Sequence, residues 1–385
     1  MEVVRLTKND YDEWLSVLNT VFTKQNKKEM DFEKELPKMC VRDDYHMNMH
    51  LAIKENGKIC ALLGVYPLKV KVGDAELLFT TVGNVATLPE YEGKGYMRIL
   101  MDAAMEELER IGADASRLGG ARQRYNRYGY EVSGISYNFH VNAFTTKYCF
   151  NGDEIFDFKE ISYEDVKEFA YIQALRKKMP MYVERAYDET HRGDYDVLRA
   201  YESRIFIALN KQGEMVGYLS VSGNLEGISD FGAENFETLK TMMYSWQKKV
   251  DARIYFSLFA SDYEAVQYYS RVSSWMSVSS PCHFKIINFD KVADALIKLK
   301  KQSGACMPEG ESVIEIKDWG RLLICHKNGE AYCQKTDKEA TIIMDRLEAT
   351  RFLFGPFEPG TVTGDDAFLA TVLPLPLSWC TLDRV

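Results

Sequence analysis

The alternation of apolar and polar positions changes period most sharply between Leu77 and Gly112. Residues 77–88 form a run rich in β-branched side chains and predict a strand, which Pro89 stops. A turn, Glu92-Gly93-Lys94-Gly95-Tyr96, follows. Apolar residues then recur at Met97, Leu100, Met101, Ala104, Met105, Leu108 and Ile111, the spacing of one buried helical face. Gly112 ends that helix, and Arg110 in its last turn suits the helix dipole.

Upstream, Val3 to Leu6 predicts a strand. Thr7 and Asp10 predict a capping box, and Trp14, Leu15, Leu18, Val21 and Phe22 predict the buried face of the helix that follows. Asn56-Gly57 between two apolar runs predicts a hairpin over residues 51–63, whose second strand continues through Val70. Gly83, inside the next strand, marks either a bulge or a close approach to the backbone. Downstream, residues 114–118 predict a short strand ending at Gly119-Gly120, and residues 136–141 predict a last one. The resulting order is β-α-β-β-β-α-β-α-β.

A weak repeat follows. Ile161-Ser162 with Asp165 repeats Leu6-Thr7 with Asp10, and the hairpin around Gly213 repeats the one around Gly57, at an offset of about 155 residues. Tyr269-Ser270-Arg271 echoes Tyr125-Asn126-Arg127, but no glycine turn precedes the second helix, Phe236 to Lys248. Chance likeness between two capped helices and two hairpins is the competing reading. From Phe289 a third region predicts a helix, strands at 312–316 and 321–325, a turn at Asn328-Gly329, and a helix over residues 340–353. The final residues are apolar and include Trp379; a tail of this kind is expected to dock, either as packing or for a purpose.

Composition narrows the function. A length of 385 residues predicts two or three domains. A net charge of −9 argues against a nucleic-acid partner and suits a cationic substrate. The first ten residues hold no apolar signal core, and no run approaches a membrane span. The eight cysteines are scattered without a C-x-x-C pair, so a reducing cytoplasm is expected, with neither a zinc site nor a disulfide framework. His46 and His50 have helical spacing but no evident third ligand, and no metal is expected.

The candidate chemistry lies at the glycine turn. A strand delivered through glycines into a helix leaves free N–H groups at the helix start, which favour an anion such as phosphate. An ordinary strand-to-helix turn is the alternative. The turn is neither a Walker A loop nor a dinucleotide G-x-G-x-x-G.

The segment Glu92-Gly93-Lys94-Gly95-Tyr96-Met97 resembles the acetyl-CoA loop Q/R-x-x-G-x-G/A of the GNAT superfamily of N-acetyltransferases. Gly95 matches, whereas Glu92 and Met97 depart from the pattern. Tyr125-Asn126-Arg127-Tyr128-Gly129-Tyr130 matches the family's Y-x-x-x-G-F/Y turn, in the expected order after the loop. Two GNAT-like halves followed by a small α+β region resemble the enhanced intracellular survival (Eis) type of acetyltransferase.

That resemblance implies two tandem GNAT-like mixed-sheet domains followed by a sterol-carrier-protein-like α+β domain. The first, over 1–150, would carry the acetyl-CoA site; the second, over 151–287, would be degenerate; the third would span 288–385. It implies backbone pairing of Val85, Ala86 and Thr87 with the pantetheine arm, and a pyrophosphate cradle of Gly93, Lys94, Gly95, Tyr96, Met97 and Arg98. Tyr125 would be the general acid and the terminal carboxylate at Val385 the general base, with a lysine or polyamine acceptor and a homo-oligomeric assembly. A packing tyrosine and a packing tail are the rival readings of those two residues. A non-catalytic binding protein, with a degenerate CoA site and an apolar-ligand pocket in the third domain, is the alternative for the whole.

Overall fold

The computed structural model describes residues 2–152, 155–185, 192–356 and 366–384. Three sheets organise it. The first begins with β1 (Val3–Arg5), β2 (His50–Glu55), β3 (Lys58–Val72), β4 (Ala75–Thr87) and β5 (Ala115–Leu118), then continues through the strands Cys282–Ile286 and Glu131–Ser133. Met181–Val183 pairs with β3 off this path. The second sheet runs Asp157–Glu160, Arg204–Leu209, Met215–Val221, Gly227–Ala233, Ile254–Phe259, Ser136–Val141 and Trp275–Ser279.

The two sheets read alike, and each has borrowed its sixth strand. The strand Ser136–Val141, expected to close the first sheet, lies in the second, between Ile254–Phe259 and Trp275–Ser279. In return Cys282–Ile286 enters the first sheet, antiparallel to β5 on one side and to Glu131–Ser133 on the other. Pattern alone cannot separate these alternatives, because two short alternating strands satisfy either sheet.

The repeat extends to hydrogen bonds. Thr7 N donates to Asp10 Oδ2 at 2.8 Å, and Ser162 N donates to Asp165 Oδ2 at 2.8 Å. After the first of these comes helix α1 (Tyr11–Asn26), which buries Trp14, Val17 and Leu18. Helix α2 (Tyr96–Arg110) buries Leu100, Met101, Ala104 and Leu108 against β2, β3 and β4.

The third sheet runs Glu330–Lys335, Gly320–Lys327, Gly310–Ile316 and Ile342–Met344. The helix Phe289–Gln302 lies between it and the first sheet, in one apolar core with Val70, Leu77, Phe79, Ile314 and Ile324. The expected helix over 340–353 is in fact a strand and a shorter helix. Thr341-Ile342-Ile343 is β-branched, and Asp345 with Glu348 forms a capping box that starts the helix at Arg346. No helix among the described residues is long and apolar enough to cross a membrane.

Candidate functional site

β4 and β5 pair in parallel only at Phe79 with Ala115, Thr80 with Ser116 and Thr81 with Arg117. β4 then runs on to Thr87, held by β3 alone. Among the described residues no strand pairs with the other edge of Val82–Thr87. Val85, Ala86 and Thr87 line that open stretch. Opposite Leu63 of β3, β4 carries two residues, Asn84 and Val85, which form a bulge one position beyond the glycine expected to make it. Asn84 adopts φ 54° and is buried. Its Nδ2 donates to Tyr66 Oη at 3.0 Å, and Tyr66 Oη lies 2.9 Å from His50 Nε2. Burial pushes His50 down to about 4, so the ring is neutral and can accept the tyrosine proton. His50 therefore belongs to a chain that fixes the bulge. Among the described residues no group of three or more His, Cys, Asp and Glu could hold a metal ion.

β4 leads through Gly93 and Gly95, at φ 80° and 81°, into α2. Gly95 is the N-cap and offers no side chain to the helix. Arg98 N and Ile99 N both bond to Gly95 O, so the N–H groups of Tyr96 and Met97 lack intrahelical partners. A side chain at Gly93 or Gly95 would meet open space, so glycine is needed here for the positive φ. The side chains around the turn face away from it. Lys94 Nζ sits 3.1 Å from Glu55 and over the Tyr91 ring, and Tyr96 donates its hydroxyl to Glu55. Glu92 lies 3.3 Å from Lys24, Arg98 pairs with Asp102, and Met97 packs on the α2 core. The corresponding helix of the second sheet, Phe236–Val250, differs at this point: Asn235 caps it, accepting from Thr238 N at 2.9 Å.

Tyr125 ends a single helical turn, Arg122–Tyr125, that follows β5 and Gly119-Gly120. Its ring lies against Gly120, where any Cβ would come within 2.9 Å of Cε2. Burial raises the Tyr125 hydroxyl above the usual tyrosine range, with Arg124 opposing, so it is protonated at neutral pH. Tyr128 packs in the same core, its hydroxyl bonded by Arg127 at 2.8 Å.

The C-terminal segment docks where β4 and β5 part. Trp379 stacks on Phe79 at 5.7 Å and lies under the Arg117 guanidinium. Arg117 Nη1 donates to Thr81 Oγ1 at 3.3 Å and to Asp383 O at 3.4 Å. Ser378 Oγ donates to Ile135 O, just before the exchanged strand Ser136–Val141, and accepts from Ala260 N, just after its neighbour Ile254–Phe259. Lys38 donates to the carbonyls of Leu382 and Arg384. Burial pushes the Lys38 ammonium down to about 7, although Asp383 opposes the shift.

Asp383 is buried and faces Arg185 at 3.2 Å and Arg176 at 3.9 Å. Burial alone would raise its carboxyl, but Arg185, Arg176 and Lys38 outweigh that and hold it below the usual carboxylate range. Asp230 shares both arginines, at 2.8 Å from Arg176 and 3.0 Å from Arg185. The expected base position, Val385, lies outside the described residues.

The structure thus brings Val85, Ala86, Thr87, Gly93 and Gly95 onto one run of chain, from the open edge of β4 to the start of α2. Sequence reasoning missed Arg117, Lys38 and Asp383. A charged residue inside the apolar strand Ala115–Leu118, and another inside an apolar tail, were the available signals.

Residues 2–133, about a third of the chain, match the model of an acetyltransferase (GNAT) domain. No curated protein matches the chain. Among solved structures, a GCN5-related N-acetyltransferase from Anabaena variabilis is 14% identical with a TM-score of 0.66, covering 100% of both chains. Eis1 from Mycobacterium abscessus is 11% identical with a TM-score of 0.65, covering 99% of this chain and 98% of its own. A GCN5-related N-acetyltransferase from Kribbella flavida is 15% identical with a TM-score of 0.60, covering 91% and 88%. These likenesses carry the fold, and the residues similar to the acetyltransferase model hold β1 to β5, α2 and the strand Glu131–Ser133.

Proposed function

We propose that the chain is an acetyl-CoA-dependent N-acetyltransferase acting on a primary amine, with its reaction centre in the cleft between β4 and β5. What carries the reading is that β4 runs uncovered past Thr81 and ends in a glycine turn whose helix start has no side-chain cap. The backbone of Val85, Ala86 and Thr87 pairs with the pantetheine arm as an added strand would. The segment from Gly93 to Arg98 holds the pyrophosphate, mainly through the N–H groups of Gly93 to Met97, and Lys94 and Tyr96 keep their bonds to Glu55. The N–H near Val85 stabilises the oxyanion that develops as the amine attacks the thioester. Tyr125, protonated and beside Gly120, gives its proton to the departing thiolate. The second sheet differs at the helix start, where the Asn235 side chain takes one of the N–H groups.

A protonated amine must lose a proton before it attacks. The carboxylate at Val385 is the proposed base. Support comes from the docking of residues 378–384, held by Arg117 and Lys38 beside the point where the strands part. The three units, 1–150, 151–287 and 288–385, follow the Eis-type arrangement, with the first two exchanging a strand and the third read as sterol-carrier-protein-like. A cytoplasmic homo-oligomer belongs to the same reading. Glu92, which departs from the loop pattern and favours the binding-protein alternative, lies 3.3 Å from Lys24, which offsets its charge beside the turn.

The test is an acceptor screen with a thiol readout of CoA release. Turnover on amines that falls at least about tenfold in Tyr125→Phe supports the reading; acetyl-CoA binding without turnover on any amine contradicts it. Extending the chain beyond Val385 by a few residues should lower turnover without unfolding the protein, and full activity of the extended form would remove the terminal base.

A further inference from the structure

A second cavity lies on the other side of the docked tail. It encloses about 100 Å³ between β3, the segment Met179–Val183, the second sheet and residues 378–383. None of Val82–Thr87, Gly93–Arg98 or Tyr125 lines it. Its walls are mainly apolar, with Phe231 and Phe259 from the second sheet and Trp379 from the tail. The charged groups facing it are Arg176, Asp230, Asp383 and Asp262, with the Tyr182 hydroxyl from the strand beside β3.

Three of these charges are already matched. Arg176 pairs with Asp230 at 2.8 Å, and Asp383 pairs with Arg185 at 3.2 Å. Asp262 differs. Its Oδ2 accepts from Phe259 N at 3.2 Å, and among the described residues no cation lies within ion-pair reach of it. Asp262 is partly buried and faces the cavity without a cationic partner among the described residues, so a ligand cation would pair with its carboxylate and cover it. Aromatic faces beside a carboxylate suit an ammonium group attached to an apolar body.

We propose that this cavity is a binding site for a small primary amine with a single-ring apolar body, its ammonium paired with Asp262. The aromatic and aliphatic walls suit one ring, and the Asp262 carboxylate suits the ammonium that it carries. The site is separate from the acetyl-transfer cleft and does not depend on that function. Burial pushes the Asp262 carboxyl up to about 6, so occupancy should rise as pH is raised from 5 to 7. Asp383 stays charged over that interval because Arg185 and Arg176 hold its carboxyl below the usual range, and Arg176 stays charged because its pKa is raised beside Asp230 and Asp383.

Calorimetric titration of the full chain with benzylamine, and with benzyl alcohol as the uncharged comparison, tests the site. Benzylamine is expected to bind at least tenfold more tightly than benzyl alcohol at pH 7, and the preference should shrink at pH 5. Asp262→Asn keeps an acceptor for Phe259 N–H and should bind both probes equally weakly. Acetyl-CoA affinity, measured on the same samples, should be unchanged, which separates failure of this site from failure of the cleft. Equal binding of the two probes by the wild type, or an undiminished preference for the amine in Asp262→Asn, would overturn the assignment.

Discussion

Tyr125 and Asp383 carry the residue-scale argument, and in opposite ways. Tyr125 is buried, protonated and without a hydrogen-bond partner among the described residues, so removing its hydroxyl costs the fold little. Tyr125→Phe should lower kcat roughly 10- to 1000-fold while leaving acetyl-CoA affinity near the wild-type value. Steady-state kinetics beside a binding titration check both halves. Asp383 holds two buried arginines, and Asp383→Asn leaves Arg176 with Asp230 and Arg185 with Asp230 and Asp194. The cost should be about 3 kcal/mol near neutral pH, read from urea denaturation. The Asp383 carboxyl is held below its unfolded value, so its contribution is complete above about pH 4 and fades as pH falls through the folded value. The difference between wild type and variant should therefore shrink below pH 4. A difference that stays constant down to pH 3 would show that the ion pairs do not stabilise the fold.

At the scale of elements, two helix starts do opposite things. The N-terminus of α2 is left uncapped by Gly95, and the N-terminus of Phe236–Val250 is closed by Asn235. Gly95→Ala should cost about 1 kcal/mol through its positive φ and should also weaken acetyl-CoA binding. Asn235→Ala should cost about 1 kcal/mol and leave acetyl-CoA binding unchanged. Thermal melts paired with titrations separate the two. Much of this level is legible in the sequence. The apolar spacing from Met97 to Ile111, the turn at Asn56-Gly57 and the capping pairs at Thr7 and Ser162 are local signals, and they form the expected elements. The bulge at Asn84 and Val85 was legible only as a glycine in a strand, because its position depends on pairing with Leu63. Arg117, Lys38 and Asp383 meet across some 80 to 350 residues of chain, and no local pattern reports such a meeting.

The whole molecule is tied together by exchange. The strand Ser136–Val141 completes the second sheet, Cys282–Ile286 completes the first, and the tail crosses the junction between them. Neither half has all of its strands within its own stretch of sequence. A fragment of residues 1–150 should therefore fail to fold alone, giving a flat thermal melt where the full chain melts cooperatively. A cooperative melt of that fragment would show that the strand Cys282–Ile286 is dispensable.

The account stands on the claim that the uncovered edge of β4 and the open start of α2 hold one acetyl-CoA. Calorimetric titration of the full chain measures that directly. The prediction is one site per chain with a Kd on the order of 10 μM or tighter, weakened in Gly95→Ala and intact in Asn235→Ala. Binding only in the millimolar range, or weakened as much by Asn235→Ala as by Gly95→Ala, would contradict it.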